Sequence, residues 1–357
     1  MRRHPLIAPA ATVLTAGLLA AACGDDGGSD AATGDDVPTI VVTTGILGDV
    51  VRGLTGDLAE VEVVMPAGAD PHEFQPSARQ AATLREADVL VVNGAGFEAG
   101  LADTIEGAED DGATVFAAID HVEALPAGED DHADDDHADE EPADDADADD
   151  QPDDDQPDDD HADDESDDDH AGDDDHEDEG VDPHFFTDPA RMADATEALA
   201  VFLADEVPAL DTGELRDRAD AAVAELRALD GEVEETLAAV PAERRKLVTN
   251  HDVFAYFADR YGFEVVGTVI PSTTTQAAPS GGELDELAAT IAAEGVPAVF
   301  AETSSPARLA DTLADEVGEI EVVELFSESL GDEGSGADTY AGMVRTNATR
   351  ISDALAP

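Results

Sequence analysis

Three histidines of this chain stand where a strand end or a turn would aim an imidazole at a ligand: His72, His184 and His251. Two of them close the same tripeptide, Asp70-Pro71-His72 and Asp182-Pro183-His184. Proline fixes its own φ and drives the preceding residue towards extended backbone. The triplet therefore presents an imidazole stiffly, beside a carboxylate able to hold the ring from behind. His251 directly follows the apolar run Leu247-Val248-Thr249-Asn250. Neutral imidazole is a common ligand of zinc and neighbouring metals, so the three point towards a divalent transition metal.

Five more histidines, His132, His137, His161, His170 and His176, lie in a tract at 129–180 that also carries 32 Asp and Glu and no Lys or Arg. Such a tract has almost no apolar surface to offset the cost of ordering its backbone and is expected to be disordered. Carboxylate mixed with imidazole nonetheless attracts divalent metals. The expected role is an accessory metal loop, holding weak sites near the cleft at an effective concentration on the order of mM. His121 stands at the entry of the tract and reads as incidental.

The chain has 357 residues and a formal net charge of −72, from 88 acids against 16 Lys and Arg. The tract's 32 acids are only part of this, so the folded remainder is also acidic. That balance repels nucleic acid and anionic headgroups and attracts cations. Lys246 is the sole lysine. Salt adaptation and a GC-rich coding bias both account for an acidic, Lys-poor composition.

Residues 1–22 read as a signal segment, with Arg2 and Arg3 before an apolar stretch that ends in small residues. Cys23, the only cysteine, follows Leu18-Leu19-Ala20-Ala21-Ala22, which looks like a bacterial lipoprotein signal. With no second cysteine an intrachain disulfide is excluded, and the thiol is expected to carry lipid. Residues 23–37 then form the anchor and a flexible polar tether. No later apolar run reaches the ~20 residues that span a bilayer. An exported, membrane-anchored monomer is expected.

Strands at 39–44, 61–65, 88–93 and 113–117 alternate with helical stretches running to residue 54, at 77–86 and at 97–105. Helices at 189–206 and 212–240 follow the tract. Alternation then resumes, with strands at 246–250, 264–269, 297–301 and 320–325 and helices at 252–260, 282–294, 306–317 and 337–355. The pattern predicts two Rossmann-like α/β lobes, each a mostly parallel sheet with flanking helices. The first spans 38–211 with the tract inside it, the second 241–357, and a connector helix at 212–240 joins them. Ligands of such folds bind beyond the carboxyl ends of the strands.

The motifs resemble those of the metal-binding solute-receptor lipoproteins of bacterial ABC importers for zinc and manganese. Asp70-Pro71-His72-Glu73-Phe74-Gln75-Pro76-Ser77 is similar to their first metal motif and Asp182-Pro183-His184-Phe185-Phe186-Thr187-Asp188-Pro189 to their second. Asn250-His251 and the aromatic-rich stretch up to Phe263 resemble the third. The resemblance implies that His72, His184 and His251 are metal ligands. It also assigns the fourth position to Glu328, in Leu325-Phe326-Ser327-Glu328-Ser329-Leu330-Gly331, where several relatives carry Asp. Glu302, at another strand end, is expected to accept loop hydrogen bonds instead. The tract is similar to the acidic, His-rich loop of zinc-uptake members.

Three imidazoles and one carboxylate suit Zn²⁺, whereas Mn²⁺ prefers more oxygen. Manganese receptors of the family usually carry an acid at the position of His251. The expected function is thus an extracytoplasmic zinc receptor delivering its ion to an ABC permease. A manganese receptor of the same family and a metal-buffering lipoprotein or adhesin are the alternatives. A zinc hydrolase is disfavoured, since the chain lacks a His-Glu-x-x-His helix and shows no general base beside the three histidines.

Overall fold

Ile40, Val41 and Val42 are wholly buried, as are Val89, Leu90 and Val91, because the strands that carry them are covered on both faces. In this computed structural model, residues 37–128, 180–304, 307–318 and 320–357 are described. The expected signal segment, Cys23, its tether and the five tract histidines lie outside the described residues.

The first sheet contains β1 (Thr39–Val42), β2 (Glu60–Val63), β3 (Val89–Val92) and β4 (Val115–Ala117), in the order β2-β1-β3-β4 and parallel throughout. Central β1 and β3 are continuous apolar runs, whereas edge strand β2 alternates Glu and Val and is half-exposed. Helices α1 (Gly45–Thr55), α2 (Ala78–Arg85) and α3 (Ala102–Asp110) make the crossovers. Ser77 caps α2 through a capping box with Gln80.

The second sheet repeats the plan. It contains β5 (Lys246–Thr249), β6 (Glu264–Thr268), β7 (Ala298–Glu302) and β8 (Glu321–Leu325), in the order β6-β5-β7-β8 and again parallel. Its helices are α6 (Ala255–Tyr261), α7 (Gly281–Glu294), α8 (Arg308–Val317) and the last helix, α9 (Tyr340–Leu355). The two-lobe α/β architecture read from the sequence is the one observed.

Between the sheets run α4 (Pro189–Glu206) and α5 (Gly213–Leu237). Asp188 caps α4 with proline at its first position, and Thr212 caps α5. Leu215, Ala219, Val223, Leu226, Leu229, Val233 and Leu237 form one buried stripe along α5. Gly231 does not interrupt the helix. The stripe lies against α4, α1 and α9, so this helix serves both lobes.

The core follows that connectivity. One apolar cluster runs from Ile40 through α4 and α5 to Leu355 and is shared by the lobes. Two smaller clusters fill the outer faces, one around Val41, Leu84 and Leu90 and one around Val248, Leu287 and Val299.

Three α-helices begin at least three residues later than the sequence pattern implies, each for a local reason. The helix expected from 97 begins as a 3-10 turn at Ala99–Leu101, because the Glu98 carboxylate turns inward to accept from the amides of Asn93 and Gly94. The one expected from 252 starts at Ala255, since the Asp252 amide is spent on the Ser272 carbonyl. The last begins at Tyr340, where Thr339 provides the cap.

Candidate metal centre

Four buried side chains converge beyond the carboxyl ends of the two sheets. His72 arrives on the loop after β2 and His184 on the turn before α4, both from the first lobe. His251 lies just past the end of β5 and Glu328 just past β8, both from the second. One ligand atom from each of the four lies within 4.8 Å of the others. Each residue is at most 2% exposed.

Glu328 is the hub. Its Oε1 stands 2.8 Å from Nε2 of His72, 3.3 Å from Nε2 of His251 and 3.6 Å from Nε2 of His184. A tetrahedral ion with ligand bonds near 2.0 Å sets its donors about 3.3 Å apart. The three distances from Glu328 Oε1 bracket that value. All three Nε2 atoms and both Glu328 oxygens are buried without a hydrogen-bond partner. Such atoms cost free energy unless a cation or proton satisfies them.

The rings are not held alike. Asp182 Oδ1 lies 2.7 Å from Nδ1 of His184 and also accepts from the His184 amide at 2.9 Å. Glu302 Oε1 contacts Nδ1 of His251. Each carboxylate fixes the Nδ1–H tautomer and aims Nε2 at the centre. Asp70 does not do this for His72. Its Oδ1 accepts from the amides of His72 and Glu73, its Oδ2 from the Thr275 hydroxyl, and Nδ1 of His72 has no partner. His72 is positioned by packing instead, edge-on to Phe97 with ring centroids 5.1 Å apart. Phe97 meets His184 in the same way at 5.6 Å.

Electrostatics couple the acid to the imidazoles. Burial pushes His251 down, but the charges of Glu302 and Glu328 outweigh it and raise the ring well above its ordinary value. His184 is likewise lowered by burial and raised on balance by Asp182. Burial raises Glu328, yet the charge of His251 and the contacts of all three imidazoles hold it well below the ordinary carboxylate range. Without metal, these shifts favour an ionised Glu328 beside protonated His184 and His251.

Side chains of the second lobe also grip the ligand loops of the first. Gln276 Nε2 donates to the His72 carbonyl at 2.6 Å, and the Gly68 amide donates to the hydroxyl of Ser329, the neighbour of Glu328, at 2.7 Å. These cross-lobe partners carry no motif and sequence reading did not find them. It also missed Glu302, which holds a ring instead of a loop; its place at the end of a buried strand beside β5 was the available signal. His121 is exposed, stacks on Phe116 with centroids 4.5 Å apart and takes no part in the cluster.

Residues 40–354 match the protein family described as zinc-uptake complex component A, periplasmic (ZnuA). A zinc-binding protein of Treponema pallidum, TroA, is 30% identical over 351 residues, covering 97% of each chain. A manganese-binding lipoprotein of Halalkalibacterium halodurans, MntA, is 25% identical and covers 94% of each. The solved structure of the Treponema pallidum protein superposes with a TM-score of 0.71 at 28% identity, covering 90% of this chain and 99% of that one.

Proposed function

The chain belongs to the ZnuA family of metal-binding receptors of ABC importers, and we infer from this that it captures zinc between its lobes and passes it to a permease. The family consists of transport receptors and not enzymes. One observation carries the zinc reading: three imidazole nitrogens stand 2.8 to 3.6 Å from a single carboxylate oxygen, all of them buried. A nitrogen-rich, four-donor set suits Zn²⁺. The fit concerns the donors of this chain, with His72 and His184 from one lobe and His251 and Glu328 from the other.

Capture then follows from burial. Because the ligands are closed off from water, the cleft must open for an ion to enter, and the cross-lobe bonds at Gln276 and Ser329 must part. The ion replaces the protons shared among the imidazoles, and closure restores these bonds around it. Since α5 packs on elements of both lobes, the motion is small. The permease reads the closed form, and reopening releases the cargo.

Manganese is the second reading. Glu328 Oε2 is also buried without a partner, so a two-oxygen contact with a larger cation is open to it. Anchoring through a lipidated Cys23, a monomeric state and metal collection by the 129–180 tract complete the proposal. Relatives named as lipoproteins support the anchor.

Calorimetry with metal analysis on the unlipidated chain tests the assignment. His251→Ala is expected to weaken tight zinc binding by about 100-fold or more, and deletion of 129–180 to leave it in place. Full tight-site affinity in His251→Ala would overturn the ligand set. Loss of tight binding on deletion would move the principal site into the tract.

A further inference from the structure

Tyr256, on α6 of the second lobe, is wholly buried and makes two hydrogen bonds into the first. Its hydroxyl donates to the Asp182 carbonyl at 2.6 Å and accepts from the Leu125 amide at 2.9 Å. The roles are forced, since a carbonyl only accepts and an amide only donates. Burial pushes the phenol up to about 12, which keeps the proton in place.

Both partners belong to one short antiparallel ribbon. Asp182 N donates to Leu125 O and Ala127 N to Gly180 O, each at 2.9 Å, and Pro126 bridges Val181. This ribbon is the base from which 129–179 departs. Arg191 braces it, stacking 4.8 Å over the Tyr256 ring while its Nε donates to the Glu123 carbonyl. Asp182 is also the residue whose carboxylate holds His184 through both the amide and Nδ1. One phenol thus reaches a ligand ring through a single intervening residue.

We propose that Tyr256 is a positioning residue of the metal centre. From the opposite lobe its hydroxyl fixes the Asp182 peptide, and Asp182 in turn fixes the imidazole of His184. The contact makes the aim of a first-lobe ligand depend on the docking of the second lobe.

The inference rests on the receptor reading only for its effect on zinc, so the full chain is measured with and without metal. In the metal-free protein, amide exchange at His184 reports the Asp182 contact directly. In the loaded protein, zinc release to a chelator and the visible spectrum of the Co²⁺ form report the aim of the ring. Tyr256→Phe is expected to speed both exchange and release about tenfold and to shift the Co²⁺ bands.

Tyr261→Phe, one turn further along α6, removes a buried hydroxyl that bonds Asp230 instead. It is expected to lower the melting temperature and leave those readouts at parental values. Parental exchange at His184 in Tyr256→Phe, or equal acceleration by Tyr261→Phe, would overturn the proposal. Should Tyr256→Phe fail to fold, Tyr256→Met carries the same comparison. Failure of the parent to bind zinc would sink the receptor reading, while exchange at His184 would still decide the positioning role.

Discussion

Glu328 Oε1 lies 2.8 Å from Nε2 of His72, joining the last of the four clustered residues in the chain to the first across the two lobes. The contact is buried on both sides, so its strength depends on which charges the pair carries. With Glu328 ionised and His184 and His251 protonated, the metal-free cleft is held shut by the groups proposed to hold the ion. Cargo and protons compete for one set of atoms, and most of the expected behaviour follows from that competition.

Glu328→Gln keeps the size of the side chain and removes its charge. Zinc affinity is expected to fall by about 100-fold, as read by chelator competition. In the metal-free protein, NMR titration should show His251 and His184 retaining their protons less well, since Glu328 contributes to raising both. An unchanged affinity would assign the fourth position to another group.

The two Asp-Pro-His triplets should respond differently to loss of their acids. Asp182→Asn and Glu302→Gln each release a ligand ring and are expected to weaken zinc binding 10- to 100-fold. Asp70→Asn leaves His72 Nδ1 as it was and should weaken binding less. Equal losses in all three would mean that Asp70 acts on the ring after all.

The pH dependence has opposite signs for the free and loaded protein. His184 and His251 are raised above 6.5 in the fold, so their contribution to metal-free stability is complete below 6.5 and is lost as pH rises through the raised values. Glu328 is lowered below 4.5, so its contribution is present above 4.5 and is lost as pH falls through the lowered value. Metal-free melting temperatures should therefore peak between these limits. Zinc affinity should instead decline as pH drops, starting above 6.5, because His184 and His251 must give up their protons. Melting curves and chelator competition from pH 4 to 9 check both signs.

Gly100 sits under the first ligand loop. A Cβ at this position would stand 2.0 Å from the Phe74 carbonyl oxygen, two residues after His72. Gly100→Ala must displace that backbone and is expected to cost about 1–3 kcal/mol of stability. Zinc affinity should fall with it, whereas Gly53→Ala, inside α1 with no atom within 4 Å of the added Cβ, should leave affinity unchanged and hold or raise stability. Parallel thermal melts and zinc titrations of the two variants decide this.

Strand positions and lobe count were legible because buried parallel strands are written as short apolar runs such as Val89-Leu90-Val91-Val92 between helical stretches, whereas the order of the strands in each sheet came only from the structure. The capping box at Ser77 and the proline at the start of α4 were equally local signals. The three histidines could be picked out from their turns. Glu328 was reached by resemblance alone, since an acid on a loop has no pattern that marks it as a ligand.

The sequence by itself determined that two α/β lobes exist, that an acidic insertion interrupts the first, and that a few imidazoles stand at strand ends. These are matters of local spacing and composition. Only the tertiary structure decided that Glu328 faces all three rings, that Asp182 and Glu302 hold rings while Asp70 holds a loop, and that Tyr256 reaches across the lobes. The contacts of Glu328, Glu302 and Tyr256 join residues far apart in the chain, and although Asp70 and Asp182 each stand two residues from a histidine, only the fold decides which of them turns to the ring. Their geometry is fixed by how the sheets and α5 pack together, and no short window of residues carries that information.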